Sequence, residues 1–157
     1  MTADDYIQIQ NLVHRYAYLI DSGRWKELGD LFADADVYIA GELAVHRDPE
    51  KLEDLWRQYV RLYANGTPKT HHVITNLTIE EVGPEEARTH CYVLVVQQTA
   101  ALPLQPIITG DYLDRFVKSE GKWRFAERRI ANDLIGDLSA HLLQELAQAE
   151  EQKPQSW

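Results

Sequence analysis

Apolar residues at Ile9, Leu12, Val13, Tyr16, Ala17 and Ile20 recur at steps of three and four. That spacing predicts an amphipathic helix with one buried stripe, capped by Thr2 and ending near Ile20. Asp21-Ser22-Gly23 then supplies helix breakers, and Trp25, Leu28, Leu31 and Phe32 define a short second helix, giving a helical hairpin. Residues 37–40 alternate weakly and read as a first strand. Asp48-Pro49-Glu50 offers an N-cap, a proline at the first helical position and an acidic first turn. The helix it opens carries Leu52, Leu55, Trp56, Tyr59 and Tyr63 on one side and is predicted to end at Asn65-Gly66.

From Thr70 the period changes from helical to extended. Residues 71–82, 87–99, 107–118 and 122–131 are predicted as four long strands. Gly83-Pro84 and Glu120-Gly121 are short turn signals, so the strands they join should pair antiparallel; residues 100–106, with two prolines, form a longer loop. Leu138, Leu142 and Leu146 suggest a last helix over about 138–149, followed by a frayed tail at 151–157. Helices first and a strand meander afterwards is an α+β layout, in which one face of a curved sheet packs on the helices and leaves a pocket between them.

Composition narrows the function classes. A chain of 157 residues suits a single domain, placed at 1–150, and can bury roughly two-thirds of its unfolded surface. The net charge of −9, without a Lys/Arg cluster, argues against nucleic acid and against an anionic membrane surface. No run approaches the ~20 apolar residues needed to span a bilayer, and the N-terminus has neither a basic nor an apolar leader region; a cytoplasmic protein is expected. The single cysteine, Cys91, lies in an apolar strand pattern and reads as packing. There is no His-x-x-x-His or Glu-x-x-His helix pair and no phosphate-binding glycine loop, so neither a metal nor a nucleotide cofactor is expected.

The candidate chemistry concerns one aspartate and two histidines. Asp21 continues the buried stripe of the first helix, where an unpaired charge costs several kcal/mol, so it needs a partner or access to water; it is equally readable as a cap for the next helix. Alternation along the first long strand sets His72, Ile74, Asn76 and Thr78 on one face and His71, Val73, Thr75, Leu77 and Ile79 on the other. Only one histidine can meet Asp21, and periodicity alone does not choose. An aspartate that accepts an imidazole N–H fixes the tautomer and leaves the other nitrogen free to take a proton. With no Gly-x-Ser-x-Gly elbow present, proton abstraction fits better than acyl transfer. Tyr112, Gln97, Gln98, Arg128 and Arg129 are further polar groups on the sheet; alternation from Trp123 sets Arg129 with the core, and a bulge would exchange it for Arg128.

Four segments carry a resemblance to the SnoaL-like branch of the NTF2-like superfamily, which includes scytalone dehydratase, lindane dehydrochlorinase, polyketide cyclases and β subunits of ring-hydroxylating dioxygenases. They are IQNLVHRYAYLIDSGRWKELGDLF (9–32), THHVITN (70–76), GDYLDRFVKSEGKWRFAERR (110–129) and NDLIGDLSAH (132–141). The resemblance implies a cone-shaped fold with a curved mixed or antiparallel sheet and N-terminal helices over a pocket. It also implies that the helix-one aspartate, Asp21, pairs with His72. Where scytalone dehydratase has a second pocket histidine this chain reads Val-Val-Gln-Gln. The expected substrate contacts are Tyr18, Trp56, Gln98, Tyr112 and Arg128. The expected activity is a cofactor-independent lyase or isomerase acting on a small, largely apolar cyclic or polyketide-like substrate, in a homodimer or homotrimer; the alternative is a non-catalytic binding or assembly subunit.

Overall fold

A computed structural model describes residues 1–144. The chain runs α1 (Ala3–Asp21), α2 (Trp25–Leu31), β1 (Asp36–Ile39), β2 (Glu42–His46), α3 (Pro49–Tyr59), β3 (Thr70–Gly83), β4 (Glu86–Gln97), β5 (Gln105–Ser119) and β6 (Lys122–Ile135). The strands form one curved, open sheet in the order β2-β1-β6-β5-β4-β3. All neighbours are antiparallel except β1 and β6, which run parallel, so the sheet is mixed. The α+β expectation holds.

Local sequence accounts for most boundaries. Thr2 and Asp5 form a reciprocal capping box at the start of α1, the Thr2 side chain accepting from the Asp5 N–H. Asp5 is used three times over: it also accepts from Lys118 Nζ at 2.6 Å and from the Trp123 indole N–H at 2.8 Å, tying α1 to the β5–β6 hairpin. Asp48 caps α3 through the Lys51 N–H at 2.9 Å, with Pro49 at the first turn. Glu120 and Gly121 both take positive φ, which the tight β5–β6 turn requires.

Three elements differ from the sequence reading. α3 stops at Tyr59 instead of Asn65-Gly66, because Val60 turns extended and bridges to Leu142, far along the chain. β2 was not predicted; it is a short edge strand with Leu43 exposed, so its pattern carries little burial signal. Residues 138–144 form turns and the Val60 bridge where a helix was expected. The rest of that helix and the tail at 151–157 lie outside the described residues.

Bulges bend the sheet and reset its alternation. Asn76 and Leu77 oppose Cys91 alone on β4, and Asn76 takes φ +55°. Inward positions therefore change from His72 and Ile74 before the bulge to Leu77 and Ile79 after it. The strict alternation that grouped Thr78 with His72 fails at this point. On β6, Ala126 is an extra residue between Phe125 and Glu127, and it turns Arg128 inward and leaves Arg129 half-exposed, bonded to Glu127 and stacked on Tyr38.

The core lies between the helices and the concave face of the sheet. Ile9, Val13, Tyr16 and Ile20 of α1 and Trp25 and Leu28 of α2 are shut from solvent there. Among the described residues no helix is long and apolar enough to cross a membrane.

Candidate active site

α1 delivers Asp21 to the sheet at its last turn. A carboxylate is disfavoured there, because the C-terminal end of a helix carries the negative end of the dipole. Donors from β3 offset this. Asp21 Oδ1 accepts from the Thr70 hydroxyl at 2.8 Å, and Oδ2 from the His72 backbone N–H at 2.7 Å. His72 Nδ1 lies 2.6 Å from Oδ1. With the Asp21 carboxylate ionised, Nδ1 is the protonated nitrogen and Nε2 holds the lone pair. The His72 side chain is 5% exposed and that of Asp21 15%, so the contact is largely screened from bulk water. His71 points to the opposite, exposed face.

His72 forms part of the wall of a cavity of about 580 Å³ between α1, α3 and the sheet, a volume suited to a small organic ligand. The wall is mainly apolar, with Ile20, Leu55, Val93, Val95 and Ile130 contributing. Its polar members besides His72 include Tyr16, Tyr112, Trp56, Asn132 and His141. A second, more open depression on the other side of β3 is bordered by Asp21, Lys69, His71 and Gln98. The aspartate thus stands between the two spaces, with the imidazole on the inner side.

Two tyrosines shape the cavity floor. Tyr16 meets His72 edge-on at 6.2 Å and Tyr112 at 5.5 Å between ring centroids. Burial raises both phenols above their ordinary range, Tyr112 most strongly, and the two side chains are hydrogen-bonded to one another, so both stay neutral and one of their two protons is held within the pair. Arg128 lies behind them, its guanidinium carbon 4.3 Å from the Tyr16 ring centroid and 4.4 Å from that of Tyr112. It bonds Asp114 through two N–H groups at 2.7 and 2.6 Å. Burial works against the charged guanidinium, and the Asp114 carboxylate outweighs it, holding Arg128 above its usual range.

The predicted substrate contacts therefore separate. Tyr112 and Trp56 are in the cavity wall. Tyr18 is 73% exposed, on the solvent side of α1 off its buried stripe, and is no wall residue. Gln98 borders the outer depression; its neighbour Gln97 is the buried one, donating to the carbonyl oxygens of Pro68 at 3.0 Å and Ala140 at 3.2 Å. Arg128 supports the floor without lining it. For Gln98 and Arg128 the cause is a strand end and a bulge, where the local backbone sets side-chain direction and simple periodicity does not track it, whereas Tyr18 already lies off the apolar stripe of α1.

His141 and Asn132 were not singled out from the sequence. His141 follows β6 in a stretch read as a helix on the period of Leu138, Leu142 and Leu146, which gave the histidine no inward place, and only its position in the last of the four resembling segments marked it. Burial, and then the neighbouring His72, hold its imidazole down to about 4. Cys91 is buried and its thiol is pushed up to about 12 by burial, which makes it a packing residue instead of a nucleophile. Among the described residues no three His, Cys, Asp or Glu side chains gather as a metal site.

Comparison with known proteins places this geometry in context. A family model for the SnoaL-like domain matches residues 1–129. A solved structure of a variant of Rv3472, a Mycobacterium tuberculosis protein of unknown function, is 28% identical with a TM-score of 0.66, covering 83% of this chain and 73% of that one. A proposed scytalone dehydratase from Novosphingobium aromaticivorans is 24% identical, with TM-score 0.65 and coverage of 83% and 85%. The β subunit of a proposed aromatic-ring-hydroxylating dioxygenase from the same organism is 20% identical, with TM-score 0.64 and coverage of 85% and 94%. No curated protein sequence matches the chain significantly.

Proposed function

The chain belongs to the family of SnoaL-like domains, and on that premise we propose that it is a cofactor-independent lyase or isomerase in which His72, oriented by Asp21, abstracts a proton from a small, largely apolar cyclic substrate. The observation that carries this reading is the 2.6 Å contact between Asp21 and His72 at the wall of a mainly apolar cavity. Asp21 fixes the tautomer, so the Nε2 lone pair is the base. The apolar wall excludes water that would otherwise quench a carbanionic intermediate. Tyr112 and Trp56, both in the cavity wall, shape the space in which the substrate is held. Likeness to a proposed scytalone dehydratase agrees with an elimination; likeness to a dioxygenase β subunit keeps a binding or assembly role as the competing outcome of the test.

The test is proton exchange. In deuterated buffer the wild-type protein accelerates replacement of the acidic C–H protons of 2-tetralone, followed by proton NMR, and His72→Gln lowers that rate by roughly 10²–10⁴. Equal rates for the two proteins would leave only a binding role. The outer face of β3 and β4, where Val73 and Tyr92 are exposed, supports assembly as a homodimer or homotrimer, and a monomeric mass by light scattering at micromolar concentration would contradict it.

A further inference from the structure

The entry into β3 is held from the end of β4. The Pro68 carbonyl accepts from the buried Gln97 amide at 3.0 Å, and the Lys69 carbonyl accepts from the Gln98 N–H at 3.3 Å. Lys69 takes φ +61°, and the chain is extended from Thr70 onward. Thr70 and His72 stand two residues apart on that strand, so their side chains leave the same face. Both meet the carboxylate at the last turn of α1. The Thr70 hydroxyl donates to Asp21 Oδ1 at 2.8 Å, the same oxygen that lies 2.6 Å from His72 Nδ1, while Oδ2 accepts the His72 backbone N–H at 2.7 Å. Thr70 is 4% exposed.

No lysine or arginine among the described residues forms an ion pair with Asp21. The charge of this carboxylate is therefore moderated by neutral donors, and Thr70 is the one side-chain donor besides the imidazole itself. Each bond that a carboxylate accepts stabilises its ionised form and leaves the oxygen a weaker acceptor for the next donor. When His72 Nε2 takes a proton, the contact between Nδ1–H and Oδ1 becomes charge-assisted. An oxygen already accepting from a hydroxyl holds that imidazolium less tightly than a free one would. Both an elimination and an isomerisation need a base that captures a proton and then gives it up.

Resting on the proposal that His72 is the base, we propose that Thr70 is a positioning residue that controls it through Asp21: the hydroxyl fixes the carboxylate beside the imidazole and, by sharing Oδ1, limits how firmly the protonated base is held. Thr70 borders the outer depression together with Asp21 and is not a wall residue of the inner cavity. It acts on the reaction without touching the substrate.

The test is the pH dependence of 2-tetralone proton exchange, with the low-field Nδ1–H resonance of His72 as a second readout. In Thr70→Val the acid limb of the rate profile is expected to move up by roughly one pH unit, and the resonance to move further downfield as the bond to Oδ1 strengthens. Thr70→Ser retains the hydroxyl and is expected to match the wild type in both. The other titratable groups around the pair are the same in every variant. They are Tyr16, Tyr112 and His141 in the inner wall and Lys69 and His71 at the outer depression. A hydroxyl with a structural role alone would lower the folded fraction or the limiting rate and leave the limb in place.

In the unaltered chain the Thr70 hydroxyl proton is expected to exchange slowly with water and to show a nuclear Overhauser contact to Nδ1–H, an arm that depends on no variant folding. The proposal is overturned by a Thr70 hydroxyl proton that exchanges as fast as that of free threonine, by an acid limb that stays in place in Thr70→Val, or by Thr70→Ser behaving as Thr70→Val does. The two readings fail differently. Undiminished exchange in His72→Gln removes the base, and the resonance shift in Thr70→Val then still registers the hydroxyl's hold on the pair. Loss of exchange in His72→Gln with an unmoved limb in Thr70→Val keeps the base and removes Thr70 from its control.

Discussion

The backbone of Gly23 runs so close to that of Gly66 that a Cβ on Gly23 would stand 2.4 Å from the Gly66 carbonyl oxygen. Gly23 also takes φ +65°, a conformation that L side chains adopt at a cost of about 1–3 kcal/mol. This turn is what brings the end of α1 beside the segment leading into β3, and hence Asp21 beside His72. Gly23→Ala is expected to destabilise the fold by roughly that amount or more, and to slow exchange of 2-tetralone protons beyond what the lost folded fraction explains. Urea denaturation and the exchange rate, measured on the same sample, check the two effects separately.

Asp21→Asn retains the shape of the side chain but reverses the bonding pattern, because an amide nitrogen would face Nδ1 as a donor. The imidazole is then expected to present its N–H to the cavity in place of the lone pair, with activity falling by ~10²–10⁴. A low-field imidazole N–H resonance present in the wild type and missing in Asp21→Asn would accompany the loss. Retention of both the resonance and the rate would remove Asp21 from the mechanism.

Arg128 and Asp114 are both sealed from solvent and are joined by two bonds, through the Arg128 Nε and Nη2 groups. Arg128→Met leaves a buried carboxylate with Thr89 as its remaining side-chain partner, at 3.5 Å, and is expected to cost about 3–5 kcal/mol. Adding Asp114→Leu should recover most of that. A double variant as unstable as the single one would mean that the guanidinium is needed for stacking between Tyr16 and Tyr112 more than for its charge.

Acid should weaken the fold in two separate stages. The folded chain holds His141 neutral down to about 4, whereas its ordinary value is 6.5, so between these values the unfolded chain binds more protons. The contribution is therefore whole above about 6.5 and is lost as pH falls toward 4, amounting to roughly 2–3 kcal/mol. His141→Phe should flatten that part of the stability curve in urea titrations at pH 7 and pH 4.5.

The second stage belongs to Asp5. Its bonds to Lys118, first, and then to the Thr2 N–H and Trp123, hold its carboxyl well below the usual range. Its contribution is present above the ordinary carboxylate value of 3.8 and disappears only as pH drops below it toward the depressed folded value. Asp5→Ala should lower the melting temperature by several degrees at neutral pH and blunt the loss seen in strong acid. An unchanged melting temperature would show that the capping box and hairpin clamp contribute little.

Much of this was legible in the residue pattern, and the failures share a physical origin. α1 and its approach to β3 could be read because one apolar stripe runs unbroken from Ile9 to Ile20, leaving Asp21 in line with it. The choice of His72 over His71 needed the family resemblance, since both strand faces are mixed. What escaped depends on contacts between distant segments. Val60 ends α3 by pairing with Leu142, and His141 joins the cavity because Gln97, Tyr63 and Arg61 hold its backbone there. Single extra residues at Ala126 and Asn76 decide which arginine is buried and which half of β3 obeys which parity. An asparagine in a run of β-branched residues, tolerant of positive φ, was the one visible hint of the second.

The kink at Asn76 leaves β3 in two segments whose inward positions are out of step. Beyond the kink, a position that strict alternation from the imidazole would count as inward therefore faces outward, so the hairpin tip obeys one parity and the strand end that aims the base obeys the other.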